Sequence, residues 1–97
     1  MASYRAERTY SGKAAQEIFE RTRQTIDQLA QRYALHHAPE VSSLRGKVSR
    51  MGTEGRYRVE GDKLTLDLDY SFLIPGAMRR RIEDEVNQRL DGLFRAA

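Results

Sequence analysis

Hydrophobic residues recur at intervals of three and four between Gly12 and Leu35, a period that predicts a long amphipathic helix. Pro39 cannot continue a helix and favours an end near residue 35. The preceding segment, residues 3–10, has aromatic ends and is predicted to be a short strand at a sheet edge. The predicted helical stripe consists of Ala15, Ile18, Phe19, Thr22 through its methyl group, Ile26, Leu29, Ala30 and Tyr33.

Three further segments alternate apolar and polar residues with period two. They are SLRGKVSRM (residues 43–51), GRYRVE (55–60) and KLTLDLDYS (63–71). This pattern is typical of strands whose sheet is covered on one face and wet on the other. Gly61 and Asp62 suit a tight two-residue hairpin between the last two segments, so we expect antiparallel pairing.

The polar phase of these strands carries most of their charge. Antiparallel pairing would set Arg56 and Arg58 across from the carboxylates Asp67 and Asp69. Arg45 and Lys47 have no such partner in the predicted sheet. We therefore expect any net positive patch on the side of Arg45, Lys47 and Arg50.

A second amphipathic helix is predicted from about Pro75 to Phe94, with Met78, Ile82, Val86, Leu90 and Leu93 on its apolar stripe. Two such helices need a cover, and a sheet with one apolar face supplies it. The predicted fold is therefore an α+β two-layer sandwich in β-α-β-β-β-α order. Its antiparallel sheet has four strands, and both helices lie on one face.

Composition narrows the class of protein. The 97 residues suffice for one domain, 1–97, and include no cysteine, which excludes disulfides and thiolate chemistry. We expect a cytoplasmic protein, because the first residues are charged and no long apolar segment occurs. Lys and Arg outnumber Asp and Glu by 17 to 14, a mild excess that permits an anionic partner without requiring one.

The carboxyl-terminal half resembles the bacterial polyhydroxyalkanoic acid system, or granule-region, proteins. The resemblance covers residues 52–94 and includes YSFL (70–73) and RRIEDEVNQRLDGLF (80–94), after the residues Gly52, Gly55, Tyr57, Val59, Leu64, Leu66 and Leu68. It implies an accessory role in storage-polyester metabolism, with some members at the granule surface, and it supplies no catalytic residues. The junction LIPGAMRRR and the long link LHHAPEVSSLRGK depart from the family pattern.

The junction itself suggests an interaction surface. Phe72 continues the apolar row of the preceding strand and is expected to be buried, which leaves Leu73 and Ile74 as the exposed pair. Arg79, Arg80 and Arg81 follow. Each arginine has a carboxylate four residues later, so a self-neutralised, solvated helix face is the alternative interpretation. An apolar tip with a cationic rim would suit a storage granule.

Other candidates for chemistry are weaker. His36 and His37 are adjacent, which suits metal chelation poorly, and their place at a helix end explains them. Asp67 and Asp69 would lie on an open face, where a structural role is expected. We therefore expect no catalytic residues, metal or cofactor, and a protein that binds a granule surface, a granule protein or a second copy of itself.

Nucleic acid is the alternative partner, through a basic patch of Arg45, Lys47, Arg50, Arg56 and Arg58. A stacking platform needs an aromatic side chain on the same face as the cations. Tyr57 falls in the apolar phase, away from Arg56 and Arg58, which argues against this interpretation. A structural homodimer is a third hypothesis, since an open sheet leaves two unpaired edges.

Overall fold

The computed structural model describes residues 2–71 and 74–95. Five strands and two helices follow one another, with a short 3₁₀ turn, Val41–Ser43, between the second and third strands. The elements are β1 (Ala2–Thr9), α1 (Ala15–Tyr33), β2 (His36–Glu40), β3 (Arg45–Arg50), β4 (Thr53–Glu60), β5 (Lys63–Tyr70) and α2 (Gly76–Asp91).

The strands form one antiparallel sheet in the order β1-β5-β4-β3-β2. The predicted α+β class is confirmed, the predicted elements all occur in the predicted order, and β1 is an edge strand as expected. The prediction of four strands was wrong, because part of the link after the first helix forms β2 on the far edge. Ala34 adopts a left-handed conformation with φ 56° and turns the chain from α1 directly into this strand.

Both helices cover the same face of the sheet. Phe19 of α1 stacks on Tyr57 of β4 with ring centroids 6.0 Å apart, and Tyr70 of β5 donates a 3.2 Å hydrogen bond to Glu83 of α2. Leu66 of β5 lines the cleft between the two helices. The buried apolar residues of this layer are Ala6, Ile18, Phe19, Ile26, Leu29, Ala30, Val48, Tyr57, Val59, Leu64, Leu66, Leu68, Tyr70, Leu90 and Leu93.

Helix α2 is buried unevenly along its length. Leu90, near its end, is buried, whereas Val86 and Ile82 are half-buried and Met78 is 51% exposed. The apolar stripe predicted from the sequence thus leaves the core gradually towards the beginning of the helix. The first turns of α2 therefore present apolar surface to solvent, beside the junction that connects the helix to β5.

Candidate interaction surfaces

The β5–α2 junction lies against the β3–β4 turn. The backbone N–H of Ser71 donates a 2.7 Å hydrogen bond to the carbonyl of Gly52. Gly52 has φ +88°, and a Cβ placed there would lie 2.9 Å from Cδ1 of Ile74. Glycine therefore lets the turn close onto the junction. Ile74, predicted to be exposed, is half-buried and packs on the core, while Phe72 and Leu73 lie outside the described residues.

Three of the four large hydrophobic side chains that are exposed among the described residues gather at this end of the molecule. They are Met51 in the β3–β4 turn, 96% exposed, Met78 in α2, and Tyr33 at the end of α1, 38% exposed. Arg50 ties α1 to the turn, because its Nη1 donates a 2.8 Å hydrogen bond to the Tyr33 carbonyl. We call this surface the junction end: Tyr33, Arg50, Met51, Ile74, Met78 and Arg79–Arg81.

The arginine triplet does not form the helical ion pairs that its spacing allows. Within residues 2–71 and 74–95, no carboxylate lies within 4.0 Å of the three guanidinium groups. Two of the three expected carboxylate partners are engaged elsewhere: Glu83 accepts the bond from Tyr70, and Glu85 accepts a 2.9 Å bond from the Tyr33 hydroxyl. Arg80 and Arg81 are exposed. Arg80 and Arg81 are thus available to an anionic partner.

The environment of the Tyr70 hydroxyl, which includes Glu83, changes its pKa. Burial, followed by the nearby Glu83 carboxylate, raises the pKa of the Tyr70 hydroxyl. The hydroxyl therefore stays protonated and keeps donating to Glu83 over the physiological pH range. This bond holds the middle of α2 over the last strand.

The alternative basic patch divides between the two faces of the sheet. Arg50 lies on the helix side, bonded to Tyr33, whereas the other four cations lie on the open face. Arg45 is opposite Arg58, and Lys47 is opposite Arg56, in the β3–β4 register. Four like charges in a block would attract a polyanion if no carboxylates lay among them.

Carboxylates do lie among the open-face cations, and this corrects the expectation that Arg45 and Lys47 lack partners. Glu40 of the unpredicted strand β2 lies 3.5 Å from Arg45, and Glu54 lies 3.8 Å from Lys47. The expected pairing across β4 and β5 is present for Arg56, which forms a 2.7 Å ion pair with Asp69, but it is wrong for Arg58, which lies opposite Thr65. Arg58 pairs with Glu60 at 3.3 Å. The open face of the sheet thus carries paired positive and negative side chains rather than a purely basic patch.

His37 lies in a partly buried hydrogen-bonded chain, whose third member, Asp27, is 43% exposed. Its Nδ1 is 2.6 Å from Oδ1 of Asp27 in α1, and its Nε2 is 2.6 Å from the hydroxyl of Tyr57 in β4. The His37 side chain is only 4% exposed, although the rest of β2 is largely solvent-facing. Burial raises the pKa of Tyr57 to about 12, so the hydroxyl remains protonated and can donate to the imidazole. The chain anchors the edge strand to α1 and the sheet.

This Asp–His–Tyr chain contains groups used in acid–base catalysis, but its geometry favours a structural role. Tyr57 is 1% exposed, and its hydroxyl fills the space above Gly46. A substrate would need direct access to that hydroxyl, or to a group one hydrogen bond away. Within the part of the chain that the structure describes, no group of three or more His, Asp or Glu side chains is arranged to hold a metal ion.

The family comparison bears on the junction end. The sequence model described as "Putative polyhydroxyalkanoic acid system protein" matches residues 10–94. The chain belongs to this family. The match extends the resemblance, first recognised in residues 52–94, back through α1, so it includes every element after β1. No curated protein is significantly similar to the chain.

The range matched by the polyhydroxyalkanoic acid system family, residues 10–94, includes the whole junction end, whose residues run from Tyr33 to Arg81. Among the described residues, neither helix has the length and apolar character needed to cross a lipid bilayer. Sequence reasoning found Ile74 and the arginines but missed Met51 and Tyr33 as members of this surface. The overlooked signal was Met51 itself, a large apolar residue in a glycine-containing turn.

Proposed function

We propose that this chain is a non-enzymatic accessory protein of polyhydroxyalkanoate storage, and that it binds the surface of the polyester granule through the junction end. Family membership supports the general role. The observation that supports the surface is the gathering of Met51, Met78 and Tyr33 beside the exposed Arg80 and Arg81 at one end of the molecule. We expect the protein to act in the cytoplasm, where such granules form.

The chemistry of the junction end suits an apolar surface with an anionic boundary. Full burial of a methionine side chain contributes about 1.5 to 3 kcal/mol, and Met51 has almost all of its surface still to bury. Methionine is also flexible enough to adapt to an irregular polymer surface. Arg80 and Arg81 can then pair with carboxylate or phosphate groups at the granule boundary, as basic residues do beside inserted apolar ones.

Co-sedimentation with purified polyester granules tests this proposal. The wild-type protein should pellet with granules and should remain bound when salt screens the arginines, because apolar contact is not screened. Met51→Asp with Met78→Asp should abolish pelleting. Val41→Asp is the matched control, because Val41 is 60% exposed but lies after β2, at the opposite end of the sheet.

The outcomes separate the candidate partners. Equal pelleting of the double variant and the wild type would refute the junction end as the binding surface. Retention of a single-stranded oligonucleotide at low salt, with loss on adding salt, would instead favour the nucleic-acid alternative. The carboxylates that pair with Arg45, Lys47 and Arg58 argue against that result.

A further inference from the structure

The outer edge of β1 presents unpaired backbone groups. Tyr10 N–H donates a 2.8 Å bond to the Asp62 carbonyl, so position 10 faces β5. In an antiparallel pair, alternate residues direct both backbone groups to the same side. The even-numbered residues of β1 therefore direct their backbone N–H and C=O groups to β5. The odd-numbered residues direct theirs outward: Ser3, Arg5, Glu7 and Thr9. One outward carbonyl, that of Glu7, accepts a bond from the Arg8 side chain at 2.8 Å.

The opposite edge of the sheet is blocked. Val59 N–H donates a 2.9 Å bond to the Leu44 carbonyl, so the even-numbered residues of β3 direct their backbone groups to β4 and the odd-numbered ones, such as Lys47, direct theirs to β2. Ala38, the register partner of Lys47, directs its backbone groups back to β3. Pro39, the next residue, therefore points outward. Proline has no N–H, and its presence on an outer edge prevents a further strand from pairing there. Any edge pairing should therefore use β1.

We propose that a second copy of this chain pairs with the outer edge of β1, antiparallel, with Ala6 opposite Ala6 of the second copy. Hydrogen bonding requires outward-facing residues to meet each other, so only registers that pair odd positions with odd positions are allowed. In the proposed register, Arg5 meets Glu7 of the second copy and Glu7 meets its Arg5. Ser3 likewise meets Thr9, so all four outward residues of each copy are paired.

The neighbouring registers are less favourable for two reasons. A shift in one direction sets Arg5 opposite Arg5, and a shift in the other sets Glu7 opposite Glu7. Like charges directly opposite in a sheet are destabilising, whereas opposite charges stabilise. Each shift also removes one pair of outward residues from the ladder. The number of paired residues and the arrangement of charges therefore favour the same register. The resulting dimer has a continuous ten-stranded sheet with all four helices on one face.

Spin labels provide a test of this register, because the chain has no cysteine of its own. Ser3→Cys and Thr9→Cys are labelled in separate preparations, and the distance between the two copies is measured by pulsed dipolar spectroscopy. In the proposed register, both sites lie the same number of residues from the two-fold axis. Both preparations should therefore give the same separation, about 20 Å from the strand rise.

Other outcomes would overturn the proposal. A short separation at one site, about 14 Å, with a long one at the other, about 27 Å, would indicate a shifted register. The absence of dipolar coupling in a protein of monomer mass would exclude the edge dimer altogether. Neither measurement involves a granule, so failure here is distinct from failure of the proposed function.

A proline substitution provides a second, independent test. Glu7→Pro removes an outward N–H and leaves the ladder with β5 intact, because position 7 faces away from β5. Glu7→Ala is the matched control, since it also loses the carboxylate but keeps the N–H. Because the dimer is symmetric, the substitution removes the hydrogen bond of this N–H at two places. The dimer dissociation constant should therefore rise about tenfold or more in the proline variant relative to the alanine variant. Equal dissociation constants would contradict β1 pairing.

Discussion

The hydroxyl of Tyr57 occupies the space that a side chain at position 46 would need. A Cβ placed on Gly46 would lie 2.4 Å from Oη of Tyr57 and 2.5 Å from its Cζ. Gly46 and Tyr57 are directly opposite each other in the β3–β4 register. Tyr57 can therefore lie flat across β3 and reach His37 on the next strand only because position 46 is glycine.

Gly46→Ala should destabilise the protein by about 1 to 3 kcal/mol, the usual cost of forcing extra volume into a packed site. Urea unfolding measures this cost. Gly76→Ala is the matched control, because the nearest atom to its added methyl group would be Nη2 of Arg79 at an ordinary 3.6 Å. Equal unfolding midpoints for the two variants would mean that Tyr57 does not press on β3.

His37→Ala should cost about 1 to 3 kcal/mol, because it leaves the buried Tyr57 hydroxyl without its imidazole partner. His36→Ala, on the exposed side of the same strand, should change stability by less than about 0.5 kcal/mol. Chemical denaturation of both variants gives the comparison. Similar losses from the two histidines would show that burial of His37 does not anchor the edge strand.

Two tyrosines, the half-buried Tyr10 and the buried Tyr57, predict a loss of stability at alkaline pH. Burial raises the pKa of Tyr10 and of Tyr57 to about 12, above the ordinary value of 10.0. The folded state therefore holds these protons more tightly than the unfolded state. The resulting stabilisation is complete below pH 10.0 and is lost as the pH rises through about 12.

Tyr10→Phe isolates one of these contributions. Phenylalanine keeps the ring beside Phe94 but removes the 2.7 Å hydrogen bond to the Leu90 carbonyl. The variant should be less stable than the wild type near neutral pH and should lose less stability between about pH 8 and about pH 11. Urea midpoints across this range provide the measurement. Parallel curves for the two proteins would contradict the raised pKa of Tyr10.

The predictable part of the fold depends on residues whose burial repeats with a regular period. Leu64, Leu66 and Leu68 alternate in β5, and Ile18, Ile26 and Leu29 recur along α1, so their elements could be assigned from the sequence. Strand β2 has no such repeat. Only His37 in its sequence HHAPE points into the core as a large side chain, and Pro39 suggests a link rather than a strand.

The candidate site was harder to predict than the fold because it depends on contacts between distant segments. The sequence placed Arg79, Arg80 and Arg81 four residues before carboxylates, which indicated neutralisation within the helix. Tyr33 and Tyr70 instead bind Glu85 and Glu83, from elements 52 and 13 residues away. Local spacing contains no information about such partners, and the same limit concealed the position of Met51 beside the junction.

Environment-sensitive fluorescence at two single cysteines tests most directly that the junction end faces the granule. Met51→Cys and Val41→Cys are each labelled with the same dye, since both positions are exposed and the chain has no other cysteine. On addition of polyester granules, emission from position 51 should shift to the blue while emission from position 41 stays unchanged. A shift at position 41 with none at position 51 would contradict the proposed orientation. Unchanged emission at both positions would contradict binding through this surface.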